Sequence, residues 1–319
     1  MSLGEFELIA RHFTRPVRRA VLGVGDDCAL LSLSPGQQLA TSTDLLVEGR
    51  HFLSTVAPQR LGHKALAVNL SDLAACGARP LAFTLSLALP QAEETWLADF
   101  ARGLFALADA HGCELVGGDT TRGPLAINVS IFGEVPAGQA LLRSGARPGD
   151  ELYVSGRLGD ARLALEVFRG TVSLPGEAFE RVRVAMECPQ PRVALGLALR
   201  GVASSAIDLS DGLLGDLGHV LQRSGCGARL EVDAVPRSAE LAAQPLALQR
   251  LCTLAGGDDY ELLFTAPAAQ RQAVAHAAQA AGVAVSRIGR IEPEPGLRLV
   301  DAQGQALPNT WTSFDHFRS

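Results

Sequence analysis

Leu81-Ala82-Phe83-Thr84-Leu85-Ser86-Leu87-Ala88-Leu89 reads as a strand, and Glu93–His111 after it reads as a helix that Gly112 ends. The next apolar run enters Val116-Gly117-Gly118-Asp119-Thr120, a strand ending on an acid. Upstream, Ala20–Val24 and Gln38–Ser42 read as strands, and Pro58–Cys76 as a helix stopped by Gly77 and Pro80. Downstream, Ile127–Val135 is a further strand. Gly138, Gly145, Pro148 and Gly149 then punctuate Ala137–Asp150, which reads as an interdomain connection.

The second half repeats this mixture. Strands are expected at Glu151–Ser155, Ala203–Ile207, Ala228–Val232 and Tyr260–Thr265, and near Arg287 and Leu297. Helices are expected at Asp160–Phe168, Pro191–Arg200, Gly212–Arg223, Ala239–Leu254 and Ala268–Ala281. Two strands often follow one another with no helix between them, which favours two α+β domains, 1–136 and 150–319, over one doubly wound sheet.

The 319 residues are 47% hydrophobic and 19% charged, enough for a sizeable core, and only 5% are aromatic. Leu, Ala and Val must therefore fill that core. A net charge of −6 disfavours nucleic acid and anionic membrane as partners. No long uninterrupted apolar run marks a membrane span, and Glu5, Glu7 and Arg11 interrupt the N-terminal stretch where a signal peptide would need one. Cys28, Cys76, Cys113, Cys188, Cys226 and Cys252 lack zinc or redox spacing. They read as reduced thiols, and the expected location is the cytoplasm.

Five places share one device, an apolar or small-residue strand running into aspartate. They are Val24-Gly25-Asp26-Asp27, Thr41-Ser42-Thr43-Asp44, Val116-Gly117-Gly118-Asp119-Thr120, Ile207-Asp208-Leu209-Ser210-Asp211 and Gly256-Gly257-Asp258-Asp259-Tyr260-Glu261. Asp72 adds a sixth acid, three residues after Asn69 on one helix face. A single Gly-Asp pair is usually a turn or a cap. Five of them, with hydroxyls beside the acids, make a stronger pattern. Converging carboxylates stay ionised together only with cations, and a hard divalent ion, Mg²⁺ first, suits oxygen ligands that also hold phosphates. There is no Walker loop, protein-kinase motif set, dinucleotide-binding glycine motif, zinc-spaced histidine set or serine nucleophile elbow.

Taken together, these motifs resemble the bacterial thiamine-monophosphate kinases nearly end to end. The resemblance rests on Gly4-Glu5-Phe6, Gly25-Asp26-Asp27-Cys28-Ala29, Ser42-Thr43-Asp44 and Gly49-Arg50-His51-Phe52. It continues through Lys64–Asp72, Gly117–Pro124, Ile207–Gly212, Trp311 and Phe314-Asp315-His316-Phe317. It implies the superfamily that includes aminoimidazole ribonucleotide synthetase and selenophosphate synthetase. Those proteins are homodimers whose N-terminal sheets join across the interface, with ATP in the resulting cleft. The implied reaction converts ATP and thiamine phosphate to ADP and thiamine diphosphate.

By matched position, the resemblance assigns Asp27, Ser42, Thr43, Asp44, Asp72, Asp119, Asp208 and Asp211 to Mg²⁺. It assigns Gly118, Asp119, Arg143 and Ser210 to ATP, and His51, Asp258 and Trp311 to thiamine phosphate. Relatives usually carry Glu at the position of Asp258, so the acid here is one methylene shorter.

A phosphate acceptor is already ionised at neutral pH, so no general base is required, and transfer depends on in-line positioning and charge neutralisation. Two unit charges at ~4 Å interact by roughly 4 kcal/mol even at an effective dielectric near 20. Bridging Mg²⁺ ions, and Arg143 as a bidentate clamp, reverse that repulsion. Each residue also has a plainer role open to it. Trp311 can cap the core, His51 can serve a turn, Arg143 and Arg147 can be solvated, and Asp216 can sit on the exposed face of its helix. Asp26, Asp259 and Glu261 can cap or orient. A related enzyme with another acceptor, a non-catalytic cation or nucleotide binder and a two-metal phosphatase remain the competing readings. An EF-hand loop is absent.

Overall fold

The structure, a computed structural model, describes residues 4–313. The Phe314–Phe317 tail motif lies outside the described residues. The chain divides into two compact units, one of residues 1–73 and 78–138, the other of residues 74–77 and 139–319.

The first unit begins with α1 (Glu5–Leu8), which passes into a wide turn at Ile9–Phe13. Then come β1 (Gln37–Val47), α2 (Pro58–Ala75), β2 (Arg79–Leu89), α3 (Glu94–His111), β3 (Glu114–Arg122) and β4 (Ala126–Pro136). The sheet order is β1-β4-β2-β3. β4 runs antiparallel to both β1 and β2. β3 lies parallel to β2, because α3 returns the chain to the same end of the sheet. Gly112 closes α3 in the left-handed conformation at φ 57°.

α2 is buried almost all round, from Leu61 through Leu66, Leu70 and Leu73, so its apolar residues do not form a single stripe. Burial of each such side chain contributes about 1.5–3 kcal/mol. Two helical glycines allow the helices to touch backbone to backbone. A Cβ on Gly62 would stand 2.1 Å from the carbonyl oxygen of Phe100 in α3, and one on Gly103 would stand 1.8 Å from that of Gln59 in α2.

The second unit contains β5 (Asp150–Ser155), α4 (Asp160–Phe168), α5 (Gly176–Glu187), α6 (Val193–Ala198), β6 (Ser205–Asp208), α7 (Leu213–Ser224) and β7 (Gly227–Glu231). It continues with α8 (Ala239–Ala242), α9 (Leu246–Ala255), β8 (Leu262–Pro267), α10 (Arg271–Ala281), β9 (Val285–Glu292), β10 (Gly296–Val300) and β11 (Ala306–Leu307). Its seven strands follow the order β11-β10-β7-β9-β5-β8-β6, and only β10 and β7 are parallel. Leu152, Val154, Leu230, Leu263 and Ile288 from the sheet share a core with Leu213, Leu217 and Val220 of α7. A satellite core joins Leu163, Val182, Met186, Leu241 and Cys252.

Several expectations need correction. Ala20–Val24 forms no strand, only isolated bridges from Leu22 to Leu30 and Val24 to Asp26, because Gly23 and Gly25 interrupt it. α5 is an additional helix whose polar, Arg-rich sequence hid its one apolar face. The expected helix Ala239–Leu254 is two helices, since Pro245 lacks the N–H that would continue the first. Asp44 and Asp119 stand inside β1 and β3 and not at strand ends.

Candidate active site

In the first unit, the alternation of β1 sorts its polar side chains. Ser42 and Asp44 are partly buried, whereas Thr43 is exposed. The Ser42 hydroxyl donates to Asp72 Oδ2 of α2 at 2.5 Å. The Asp44 side chain hydrogen-bonds that of Asp72, and burial together with the Asp72 charge pushes Asp44 up to about 7. Two carboxylates held together beside a hydroxyl are a set of hard oxygen donors, and a divalent cation would relieve their repulsion; the residues present fit Mg²⁺ on that ground. Thr43 Oγ1 lies on the other face of the strand, donating to Val129 O at 3.1 Å and accepting from Asn128 Nδ2 at 3.0 Å.

Asp27, Gly118 and Asp119 line a cavity of about 650 Å³ together with Gly25, Asp26 and Thr120. Its floor requires glycine. Gly118 has φ 150°, and a Cβ there would stand 1.8 Å from the carbonyl oxygen of Leu85 on β2. Asp26 orients the tip of its loop by accepting the Asp27 N–H at 2.8 Å. The His51 Nδ1 accepts the Val47 N–H at 3.0 Å, which leaves Nε2 as the ring's N–H position when the imidazole is neutral. Lys64, a buried lysine, donates to the His51 carbonyl at 3.1 Å.

In the second unit, Asp208 ends β6 and is buried, and Leu209-Ser210-Asp211-Gly212 leads into α7. Asp216 is only 3% exposed, which corrects its expected place on an exposed helix face. Its Oδ2 accepts the N–H groups of Asp211 and Gly212, each at 3.2 Å. Burial, followed by the Asp211 charge, pushes Asp216 up to about 7. An acid in the first turn of α7 is the one sequence signal for this role.

The Asp258 loop is zipped to the same segment. Asp258 N donates to Ser210 O at 2.7 Å, Tyr260 N to Leu209 O at 2.8 Å, and Leu209 N to Glu261 O at 2.9 Å. Asp258 and Tyr260 adopt φ of 63° and 51°, a costly conformation for residues with a Cβ that this network holds in place. Two neighbouring acids support the loop, as expected. Asp259, partly buried, accepts the Gly159 N–H at 2.8 Å, and desolvation raises its carboxyl group well above the usual carboxylate range. Glu261 is buried against the Arg192 guanidinium and the Ser155 hydroxyl.

Trp311 packs partly buried against the second unit's core beside Leu297 and Leu307. Arg143 is exposed and forms no ion pair among the described residues, while its carbonyl accepts from the Ser224 hydroxyl at 3.3 Å. No group of three or more His, Cys, Asp or Glu among the described residues is arranged to hold a metal by itself. Hydroxyl, backbone, water or phosphate oxygens must therefore complete any ion's coordination. No helix among the described residues is long and apolar enough to cross a membrane.

The fold and these acids define a class. Residues 25–135 match the family described as AIR synthase related protein, N-terminal domain, and residues 147–302 match its C-terminal domain. The thiamine-monophosphate kinase of Salmonella typhimurium is 48% identical over 324 residues, covering 99% of each chain. A crystal structure of thiamine-monophosphate kinase from Stenotrophomonas maltophilia matches with a TM-score of 0.85 at 44% identity, over 96% of this chain and 99% of that one. A structure described as AaThiL complexed with AMPPCP and TMP matches with a TM-score of 0.78 at 30% identity, over 90% of this chain and 89% of that one. The chain belongs to the thiamine-monophosphate kinase family.

Proposed function

We propose that this chain transfers the γ-phosphate of ATP to thiamine monophosphate, yielding ADP and thiamine diphosphate. The observation that carries the chemistry is the Asp44–Asp72 pair with the Ser42 hydroxyl, a set of hard oxygen donors whose mutual repulsion a divalent cation would relieve. Family membership and the relative bound to AMPPCP and TMP support the donor and the acceptor.

Asp27, Ser42, Thr43, Asp44, Asp72, Asp119, Asp208 and Asp211 are the proposed Mg²⁺ residues. When bound, Mg²⁺ neutralises the phosphate charge that would otherwise keep two anions apart. The remaining work belongs to orientation by the chain. Gly118, held against the Leu85 carbonyl of β2, lends its backbone to the cavity wall for the nucleotide, Ser210 offers a hydroxyl, and Arg143, exposed and with no ion pair among the described residues, offers a guanidinium for a phosphate. His51 presents an Nε2–H to the acceptor phosphate, Trp311 an aromatic face to the cationic thiazolium, and Asp258 a carboxylate to its polar edge. No side chain need remove a proton, because the attacking oxygen belongs to an ionised phosphate.

The proposed assembly is a cytoplasmic homodimer joined through β1. That strand is a sheet edge of 11 residues, and Leu39 and Leu45 on its open face are 51% and 54% exposed. A particle of one chain's mass, 33.4 kDa, in sedimentation would refute it.

The deciding experiment supplies purified protein with Mg²⁺, ATP and thiamine monophosphate and measures both products. Equal ADP and thiamine diphosphate, abolished by EDTA, is the expected result. Orthophosphate release without the acceptor would indicate a phosphatase. Tight Ca²⁺ binding without Mg²⁺-dependent ATP binding would indicate a cation store.

A further inference from the structure

The loop that carries Asp26 and Asp27 into the cavity has no regular secondary structure of its own, yet its backbone is fastened at three levels. At its entry, the Glu114 carboxylate accepts three successive N–H groups. Oε1 takes Arg18 N at 2.7 Å and Arg19 N at 3.1 Å, while Oε2 takes Arg19 N at 3.1 Å and Ala20 N at 3.0 Å. At its exit, the buried Glu134 carboxylate accepts the Ser34 N–H at 3.0 Å and the Ser34 hydroxyl at 3.2 Å. Between them, Val21 N to Leu30 O at 2.8 Å and Leu30 N to Leu22 O at 3.0 Å pinch the base of the loop.

Arg19 ties the two anchors together. Its guanidinium donates to Pro80 O on β2 at 3.0 Å and lies 3.7 Å from Glu134, which also pairs with Arg79. Beneath the loop, Val17, Ala20, Ala29 and Leu31 pack on Leu81, Ala82 and Val116. Partial burial works against the Glu114 charge, but the three N–H groups and Arg19 outweigh it and hold the carboxyl below its ordinary value. The carboxylate form that accepts these bonds is therefore the resident one.

Glu114 is also the first residue of β3, the strand that carries Gly118 and Asp119 to the same cavity. One side chain thus connects the Asp27 wall to the Asp119 wall. From this geometry we infer that Glu114 and Glu134 are positioning residues for the kinase reaction, clamping the Asp26–Asp27 loop so that Asp27 meets the nucleotide and its metal from a preset distance to Asp119. The inference rests on the function proposed above and concerns how this chain keeps that site assembled.

A loop that must find its own place binds less well in proportion to the time it spends out of place, while saturating ligand still selects the competent form. Glu114→Gln keeps one acceptor oxygen and loses the charge, so it weakens the clamp without opening a cavity. The expected result is a KM for Mg·ATP raised about tenfold with kcat within about twofold of the original. In an Asp27→Asn background the same change adds less than about twofold, because the loop tip has no metal ligand left to position. Hydrogen exchange of the backbone amides of residues 18–34, followed by peptide mass, reports the clamp without reference to catalysis. Exchange in this segment, which the Glu114 and Glu134 carboxylates hold at its two ends, should become several-fold faster in Glu114→Gln.

A fall in kcat at unchanged KM, full multiplicativity with Asp27→Asn, or an unchanged exchange rate across residues 18–34 would each overturn the inference. If Glu114→Gln does not fold, Ser34→Ala, which removes only the hydroxyl bond to Glu134, should move KM and the exchange rate about twofold the same way; no movement in either overturns it. Wild-type protein that makes no thiamine diphosphate, with exchange across residues 18–34 still accelerated by Glu114→Gln, would overturn the proposed function while leaving the clamp in place.

Discussion

Replacing Asp44 by asparagine should stabilise the metal-free protein while removing its activity, an outcome opposite to that of most substitutions at a partly buried polar residue. Asp44 ordinarily loses its proton near 3.8, whereas in the fold burial and the Asp72 charge hold the proton up to about 7. Between those values the folded state keeps a proton that the unfolded chain releases. Stability therefore falls as pH rises through this window, and the whole loss is present above pH 7. At about 1.4 kcal/mol per pH unit, an isolated and fully enclosed acid would lose about 4 kcal/mol. Water reaches part of Asp44 and Asp72 shares the proton, so about 1–3 kcal/mol is the expected size. The introduced amide keeps the hydrogen bond to Asp72 without the second charge. Urea unfolding in EDTA at pH 8 should show Asp44→Asn more stable by that amount, with most of the gain gone at pH 4.5. Mg²⁺ should then stabilise the wild-type protein more than the variant, and turnover should fall by at least about a hundredfold. A variant less stable than wild type in EDTA at pH 8, or a gain independent of pH, would refute the reasoning.

Three further outcomes follow from neighbouring geometry. Asp72→Asn should abolish turnover with an unchanged circular-dichroism spectrum, because it removes an oxygen ligand and no packing; activity preserved at saturating Mg²⁺ would contradict its role. Gly118→Ala should cost at least about 3 kcal/mol or prevent folding, since its Cβ meets the Leu85 carbonyl at 1.8 Å; a thermal midpoint within a degree of wild type would contradict the close approach. Asp216→Ala should cost about 1–3 kcal/mol in urea by leaving the Asp211 and Gly212 N–H groups unsatisfied, while Asp216→Asn, which keeps an acceptor, should cost less than about 1 kcal/mol. Equal losses in the two variants would show that these bonds do not matter.

Much of the architecture was legible because strand and helix periods are local properties. β2, α3 and α4 fall where the apolar runs and glycine stops put them. The failures also had local causes. α5 carries its apolar residues on one narrow face among Arg and Glu, and Gly23 and Gly25 break up what looked like a first strand. The acids themselves could be found, since Gly-Asp motifs with adjacent hydroxyls are unusual in such number. Their partners could not. Ser42 and Thr43 are adjacent in sequence, and only the pleat and the position of α2 turn Ser42 toward Asp72 and Thr43 toward Asn128.

By itself the sequence determined the order of the motifs, the anionic character of the site and hence its need for a hard cation, because residue type alone sets charge and donor chemistry. The tertiary structure alone decided that Asp44 meets Asp72, that Asp216 is buried beneath the Asp211 loop and that Glu114 reaches back to Arg18, Arg19 and Ala20. It also decided why Gly62 and Gly103 lack side chains, since each faces the backbone of the other's helix. These are contacts between residues far apart along the chain or turned by a helix, and no local period encodes them. A carboxylate acquires its proton affinity from whatever the fold brings beside it.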